Sequence, residues 1–413
     1  LVLVSAAIAA CAAPSLQTGL TTQPGASGLA ATRDLPTRQH PTAGPVIRAT
    51  NPGRAELTRW VDQGFDVWGK DGNAVIGEMP TKLYEELTRQ GRRLEKAAYK
   101  PLTPRSTFDN GYHTYETMAA QLKALAASNP AIAQIHDVGD GWEKTAGKAN
   151  RDIWAIQITS KQSQKADKPS LLFLGNTHGR ELAAAEVPFM FAKHLIENYG
   201  KDPQVTKWVD TRDIWVVPMV NPDGHARAEQ GYSWRKNADP THGGSGSSIG
   251  VDLNRNYSYQ FGGGGTSTDP NAQTFRGPKA LCEPETQAVA RLYASRKWTF
   301  SVSYHSYSNE VMWPWSYSAS HCPDDKVLST IGTKMAKLAG YTAEQSADMY
   351  IAAGDNDDMA YGVYKVLPFT VEIGTYNDGF DPPYSKVQQF FKENKAGAEY
   401  LLSIADNPQQ ALQ

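Results

Sequence analysis

The chain has 413 residues, of which 40% are hydrophobic and 10% aromatic, enough to bury one large core and leave material for a second, smaller unit. Its formal net charge of −2 supplies neither the basic field that nucleic acid requires nor a polybasic patch for a membrane surface, and both modes of binding are set aside on charge.

The chain opens on "LVLVSAAIAA" followed by Cys11. A bilayer needs about 20 apolar residues, so this run is too short to span one and reads as the apolar part of an export signal. Ile8, Ala9 and Ala10 before Cys11 resemble a bacterial lipobox, in which small residues admit the signal peptidase and the Cys thiol is acylated; the alternative is an ordinary signal with an incidental Cys. With no Met or basic leader in front, residues 1–11 read as the remainder of a signal. The expected location is outside the cytoplasm of a bacterium, as an envelope lipoprotein or a secreted protein. Residues 12–44 are rich in Pro, Gly, Ser and Thr with few large apolar side chains, the composition of a disordered tether.

From residue 45 to 100, "VIRAT", "RAELTRWVDQG", "FDVWGK", "AVIGEM", "TKLYEELTRQG" and "RRLEKA" read as strand, helix, strand, strand, helix, strand, with Asp71-Gly72 as a hairpin turn. That order predicts a small ferredoxin-like α+β unit. Residues 101–111 form a linker. Beyond it, residues 112–404 alternate helix signals ("YETMAAQLKALAASNP") with strand signals ("IAQIHDV", "DIWAIQI", "LLFLG", "IWVVPMV", "FSVSYHS", "FTVEI"), which predicts an α/β domain with a mixed central sheet sandwiched by helices. Residues 405–413 are a tail. Two glycine-dense stretches, "THGGSGSSIG" and "FGGGGTSTDPN", are too long for turns and read as surface loops with potential function. Besides Cys11 the chain has Cys282 and Cys322, which form either one disulfide or two buried thiols.

The residues that carry chemistry lie at strand ends. In "LLFLGNTHGRELAAAEV", His178 and Glu181 occupy the loop between a buried strand and a helix, where a His and a carboxylate can face one cation. His305 ends the apolar strand of "FSVSYHS", and two His plus one carboxylate with an open fourth position is the layout of catalytic zinc. Glu372 in "FTVEI" stands between Val371 and Ile373, where burial makes a carboxylate costly unless it is paired or functional. Arg235, Asn254 and Arg255 fall in loops between these positions.

Taken together, "NTHGRE", "VNPDG", "WRKN", "VDLNRN", "SYHSY" and "FTVEIGT" in this order resemble the zinc metallocarboxypeptidases of the carboxypeptidase A and B type, in a bacterial exported form, over about Tyr112 to Leu402. The resemblance implies a monomeric zinc-dependent exopeptidase acting on the C-termini of peptides and proteins. It implies one zinc ion held by His178, Glu181 and His305, with Asp252 orienting His178 from behind. Glu372 would be the general base, Arg235 would face the oxyanion, Asn254 and Arg255 would clamp the terminal carboxylate, and Tyr350 would close over the substrate. Arg180 would contact residues upstream of the cleaved bond, or stay solvated. On a gapless register from Tyr350 to Glu372, Asp357 falls at the floor of the specificity pocket and implies a preference for C-terminal Lys or Arg, with Asp355 beside it departing from the small residue expected there. The small N-terminal unit resembles the propeptide of secreted carboxypeptidases. The rival readings are a cell-wall peptidase acting on muropeptides and a non-catalytic peptide-binding lipoprotein.

Overall fold

A computed structural model describes residues 44–98, 111–163 and 167–413. Cys11, with almost all of the expected tether and linker, lies outside them.

The first strand, β1 (Val46–Thr50), leads to α1 (Arg54–Asp62), β2 (Asp66–Asp71), β3 (Ala74–Glu78), α2 (Thr81–Arg89) and the two-residue β4 (Glu95–Lys96). These strands pair antiparallel in the order β2-β3-β1-β4, the split β-α-β arrangement expected from the sequence. Leu57, Trp60 and Val61 of α1 recur at helical spacing, as do Leu83 and Leu87 of α2, and Leu57, Trp60, Leu83 and Leu87 pack with Ile47, Ala49 and Val75 of the sheet. Strand β2 lies at the edge, and its pairing with β3 slips between Val67 and Gly69. Trp68 is therefore the extra residue of an irregularity that turns a side chain out of the regular alternation.

The large domain is built on β5 (Ala133–Asp140), β6 (Asp152–Ile158), β7 (Ser170–Gly175), β8 (Asp213–Val217), β9 (Trp298–His305), β10 (Glu310–Trp313), β11 (Thr342–Gln345) and β12 (Leu367–Glu372). They form one sheet in the order β11-β10-β12-β9-β7-β8-β6-β5, in which β12, β9, β7 and β8 run parallel at the centre. Helices cover both faces, and the two-residue period of β7 shows why the strand reads as continuously apolar. Leu171 and Phe173 enter the core under α3 (Tyr115–Ser128), α5 (Leu182–Asn198) and α11 (Tyr384–Ile404), while Leu172 and Leu174 enter the opposite core with α8 (Pro284–Ala294). Four shorter or peripheral helices complete the layers: α4 (Trp142–Thr145), α6 (Pro203–Thr211), α7 (Pro222–Glu229) and α10 (Asn356–Gly362), with α9 (Asp325–Ala339) beside α11.

Strands β10 and β11 were not expected from the sequence. Each has four residues, and β11 is the polar edge segment Thr-Ala-Glu-Gln, with no apolar alternation to reveal it. The glycine-dense loops also depart from a purely superficial course, since Ser247, Ser248, Thr266 and Ser267 are buried. Cys282 and Cys322 are separate free thiols, which resolves the open pairing in favour of two thiols.

Candidate active site

The loop after β7 is held by Asn176. Its φ of +53° lies in the left-handed region, which Asn tolerates because its short side chain bonds locally. Its Nδ2 donates to the carbonyls of His178 and Glu181, each at 3.1 Å, so the two candidate donors are tied to one amide. A Cβ on Gly179 would lie 2.2 Å from the Gly224 backbone of α7, an approach only glycine allows.

The parallel register brings the remaining groups alongside. Glu372 is paired with His305 across β12 and β9, and Thr370 with Ser303, so all four stand at the C-terminal ends of adjacent central strands. In open α/β sheets this is where ligands bind. His178 Nδ1 lies 2.7 Å from Glu181 Oε1, His305 Nδ1 lies 3.0 Å from Glu181 Oε2, and the two Nδ1 atoms are 3.2 Å apart. The other ring nitrogens are occupied: His178 Nε2 by Asp252 Oδ1 at 3.2 Å, His305 Nε2 by Ser303 Oγ at 3.0 Å.

This donor set fits zinc. Two imidazole nitrogens and a carboxylate converge within 4.8 Å of one another, all buried, with the outer nitrogens engaged in the way that fixes ligand orientation. Facing them, Glu372 Oε2 is shielded from solvent and has no hydrogen-bond partner among the described residues. Burial, against the pull of His305 and with the repulsion of Glu181, pushes the Glu372 carboxyl up to about 8. Against the same burial cost, His178 and His305 hold Glu181 below the usual carboxylate range.

Around this centre the other expected residues gather. Arg235 donates from Nε and Nη2 to Asp252 Oδ2 at 3.1 and 2.8 Å; burial opposes the charge of Asp252, but Arg235 and His178 hold its carboxyl well below its ordinary value. Arg255 is buried and donates to Gly265 O at 2.9 Å and to Tyr350 Oη at 3.1 Å. Asn254 and Tyr350 line the same cavity as the histidines.

Two expected residues stand differently. Arg180 is not solvated: it lines the cavity, and its guanidinium forms a two-pronged pair with Asp66 of β2, at 2.8 and 3.1 Å, with both side chains buried. Asp357 does not line the cavity. Its carboxylate accepts from Asn356 Nδ2 at 3.0 Å and from Thr370 Oγ1 at 2.8 Å, and it is Asp355 that stands on the cavity wall. Asp355 caps α10 by accepting from Asp358 N at 2.9 Å, so the first turn of that helix rotates Asp357 inward.

Sequence reasoning missed Ser303, although its position two residues before His305 puts both on one face of the strand, a signal that was there to be read. It also missed Asp66, Val67 and Trp68, which have no local signature. Val67 and Trp68 form one wall of the cavity, whose volume of about 90 Å³ is far below the ~300–1,000 Å³ of ordinary ligand clefts.

The zinc carboxypeptidase family model matches residues 118–397. The chain is 26% identical to a zinc carboxypeptidase of Saccharothrix mutabilis subsp. capreolus over 87% of its length and 89% of the relative's. It is 30% identical to carboxypeptidase B of Homo sapiens over 71% of this chain and 70% of that one. Among solved structures, the carboxypeptidase A of Helicoverpa armigera aligns with a TM-score of 0.73 at 20% identity, and thrombin activatable fibrinolysis inhibitor with 0.71 at 20%. Both alignments cover 89% of this chain and 100% of the other, a share too large for residues 111–413 alone, so the fold of the small unit is matched as well. With a donor set that fits one zinc ion and a family match over most of its length, the chain belongs to the zinc carboxypeptidases and is a zinc-dependent peptide hydrolase acting at C-termini.

Proposed function

We propose that Glu372, Arg235, Asn254, Arg255 and Tyr350 carry out removal of the C-terminal residue at the centre formed by His178, Glu181 and His305. The observation that carries this reading is the unpartnered Glu372 Oε2 beside the three converged donors. Zinc, when bound, supplies a Lewis acid that makes water nucleophilic near neutral pH. Glu372 accepts the proton of the attacking water and delivers it to the departing amine. Arg235, fixed by Asp252, presents its charge to the oxyanion of the tetrahedral intermediate. Arg255 and Asn254 receive the terminal carboxylate, the guanidinium matching both oxygens at once, and this clamp restricts cleavage to chain ends. Tyr350, already hydrogen-bonded to Arg255, closes over the bound residue. A chelator should abolish hydrolysis of an N-blocked dipeptide, zinc should restore it, and the C-terminal amide of the same peptide should resist cleavage. Hydrolysis that survives chelation, or equal cleavage of the amide, removes this reading.

A preference for C-terminal Lys or Arg rests on Asp355, which lines the cavity, with Asp357 behind it across Thr370. Burial raises both carboxyls, to about 6 and about 7, and Asp355 adds to the rise of Asp357. A basic side chain would relieve both costs. Leaving such a charge unpaired costs roughly 3–5 kcal/mol, enough to favour basic over aliphatic termini at least a hundredfold. Asp355→Asn keeps the cap of α10 and removes the charge, so it should flatten the ranking of kcat/KM over peptides ending in Arg, Lys, Leu and Phe. A wild type that prefers Leu or Phe overturns the assignment.

The small unit acts as an inhibitory cap, a reading supported by Asp66 on Arg180 and by Val67 and Trp68 in the cavity wall. The envelope location rests on Cys11 alone. Acylation there would make the protein a monomeric, lipid-tethered exopeptidase, and recovery of Cys11→Ser in the same membrane fraction as the wild type refutes the anchor.

A further inference from the structure

The glycine-dense loop beginning at Thr241 plays no part in the chemistry above, yet it delivers His242 to a second group of metal-ligating side chains. His242 Nε2 lies 3.2 Å from Glu283 Oε1 and 3.1 Å from Asp239 Oδ2, and Cys282 Sγ lies 3.0 Å from the same Glu283 oxygen. The ligand atoms of His242, Cys282 and Glu283 all fall within 4.8 Å of one another. The separations match those at the first centre, 2.7 to 3.2 Å, where the donors fit zinc.

We propose that His242, Cys282 and Glu283, with Asp239 drawn in from beside His242 as the fourth donor, form a second, structural site for a divalent transition-metal ion of the zinc class. An imidazole nitrogen, a sulfur and two carboxylates are donors that zinc accepts. Four protein donors make a closed site with no position for substrate, in contrast to the open three-donor centre. Bonds of about 2.0–2.3 Å in a tetrahedron put neighbouring donor atoms roughly 3.3–3.8 Å apart; the 3.0–3.2 Å contacts of Glu283 Oε1 with Cys282 and His242 need to open by only a few tenths of an ångström, while Asp239, 3.1 Å from His242, has to turn toward the ion.

The surroundings are arranged to aim these donors. Asn237 Nδ2 donates to Glu283 Oε2 at 2.6 Å, which leaves Oε1 turned toward His242 and Cys282. Asn256 Nδ2 donates to Cys282 Sγ at 3.1 Å, and the Thr241 hydroxyl donates to Asp239 Oδ2 at 2.9 Å. Outer partners of this kind orient metal ligands. Glu283 is fully buried and Asp239 nearly so, with Glu285, also fully buried, sharing the Asn237 amide. One imidazole thus faces several buried carboxylates.

The site would also tie together the loops that carry the active centre. Asn237 N donates to Val251 O and the Asn237 Oδ1 accepts from Val251 N, next to Asp252, and Asn237 lies two residues from Arg235; Asn256 follows Arg255. The ion would hold these two segments against residues 282–283 without touching substrate.

The intact chain, saturated with zinc and desalted, should hold two zinc equivalents. His242→Ala and Cys282→Ser should each hold one, and His178→Ala should keep the second ion while losing the first. In the cobalt-substituted wild type the second site should give a near-ultraviolet thiolate-to-cobalt band. The first centre has no sulfur donor, and Cys282→Ser should abolish the band. One zinc equivalent in the wild type, or a cobalt spectrum without the thiolate band, overturns the proposal and leaves His242 as an ion-paired loop histidine; this measurement needs no variant to fold and is independent of peptidase activity.

Discussion

Glu372 shows how a single carboxylate is set apart for proton transfer. Its register partner His305 and the neighbouring Glu181 are held by one another, whereas its own Oε2 meets no donor among the described residues. Glu372→Gln keeps the shape and removes the ability to take a proton. It should retain zinc and thermal stability while kcat falls roughly 10²- to 10⁴-fold, the usual contribution of a general acid-base group. Metal analysis beside steady-state kinetics checks both halves, and a near-normal kcat takes Glu372 out of the mechanism. The residue itself was legible in the sequence, because an acid flanked by Val371 and Ile373 at a strand end has few structural excuses. Its lack of a partner was not, since that depends on what other strands bring to the same place.

At the scale of the element, β2 is an edge strand whose exposed side is covered by the large domain instead of by solvent. A Cβ on Gly69 would lie 2.0 Å from the Tyr307 carbonyl, so the strand sits at a distance only glycine permits. Asp66 pairs with Arg180 at one end, and Lys70 with Glu310 (3.0 Å) and Glu344 at the other. Directly across from Asp66 in β3 stands Glu78, whose carboxyl is pushed up to about 7 by burial and by Asp66. A carboxyl whose folded value exceeds its unfolded value of about 4.5 leaves the folded state binding more protons between those two pH values. Stability must then fall as pH rises from about 4.5 to about 7, by at most about 3 kcal/mol. Glu78→Gln mimics the protonated form. Its melting temperature should equal that of the wild type near pH 4 and exceed it increasingly up to about pH 7.5; a constant difference across that range shows that Glu78 does not titrate this way.

At the scale of the whole molecule, the four-stranded unit lies across the open end of the central strands and leaves about 90 Å³ at the centre. The tyrosine segment is gripped by the same unit: Arg54 pairs with Asp348 at 2.7 Å, the Thr58 hydroxyl accepts from Ile351 N at 3.0 Å, and Tyr350 packs against the small core. On the proposed reading of the unit as an inhibitory cap, access for a peptide requires that it leave. Proteolysis within residues 99–110 should raise activity toward small peptides at least tenfold. Asp66→Asn should raise it in the uncleaved chain, because a buried Arg180 without its counter-charge costs roughly 3–5 kcal/mol. Equal activity before and after trimming, confirmed by loss of the small fragment on gel filtration, makes the unit a spacer.

What the sequence by itself determined was whatever depends on near neighbours: the period-two strands around β7, β9 and β12, the βαββαβ order of the small unit, and the motif series that identified the family with its His178, Glu181 and His305. Those features are local, since strand alternation and loop position follow from residues only a few places apart. The tertiary structure alone decided which distant groups meet. It set Asp66 against Arg180 across 114 positions, put Asp355 in place of Asp357 on the cavity wall, and placed Cys282 beside His242 instead of Cys322. Each of these turns on the direction in which a side chain is aimed once helices and strands have packed, and hydrophobic periodicity specifies the buried face without specifying what lies opposite it.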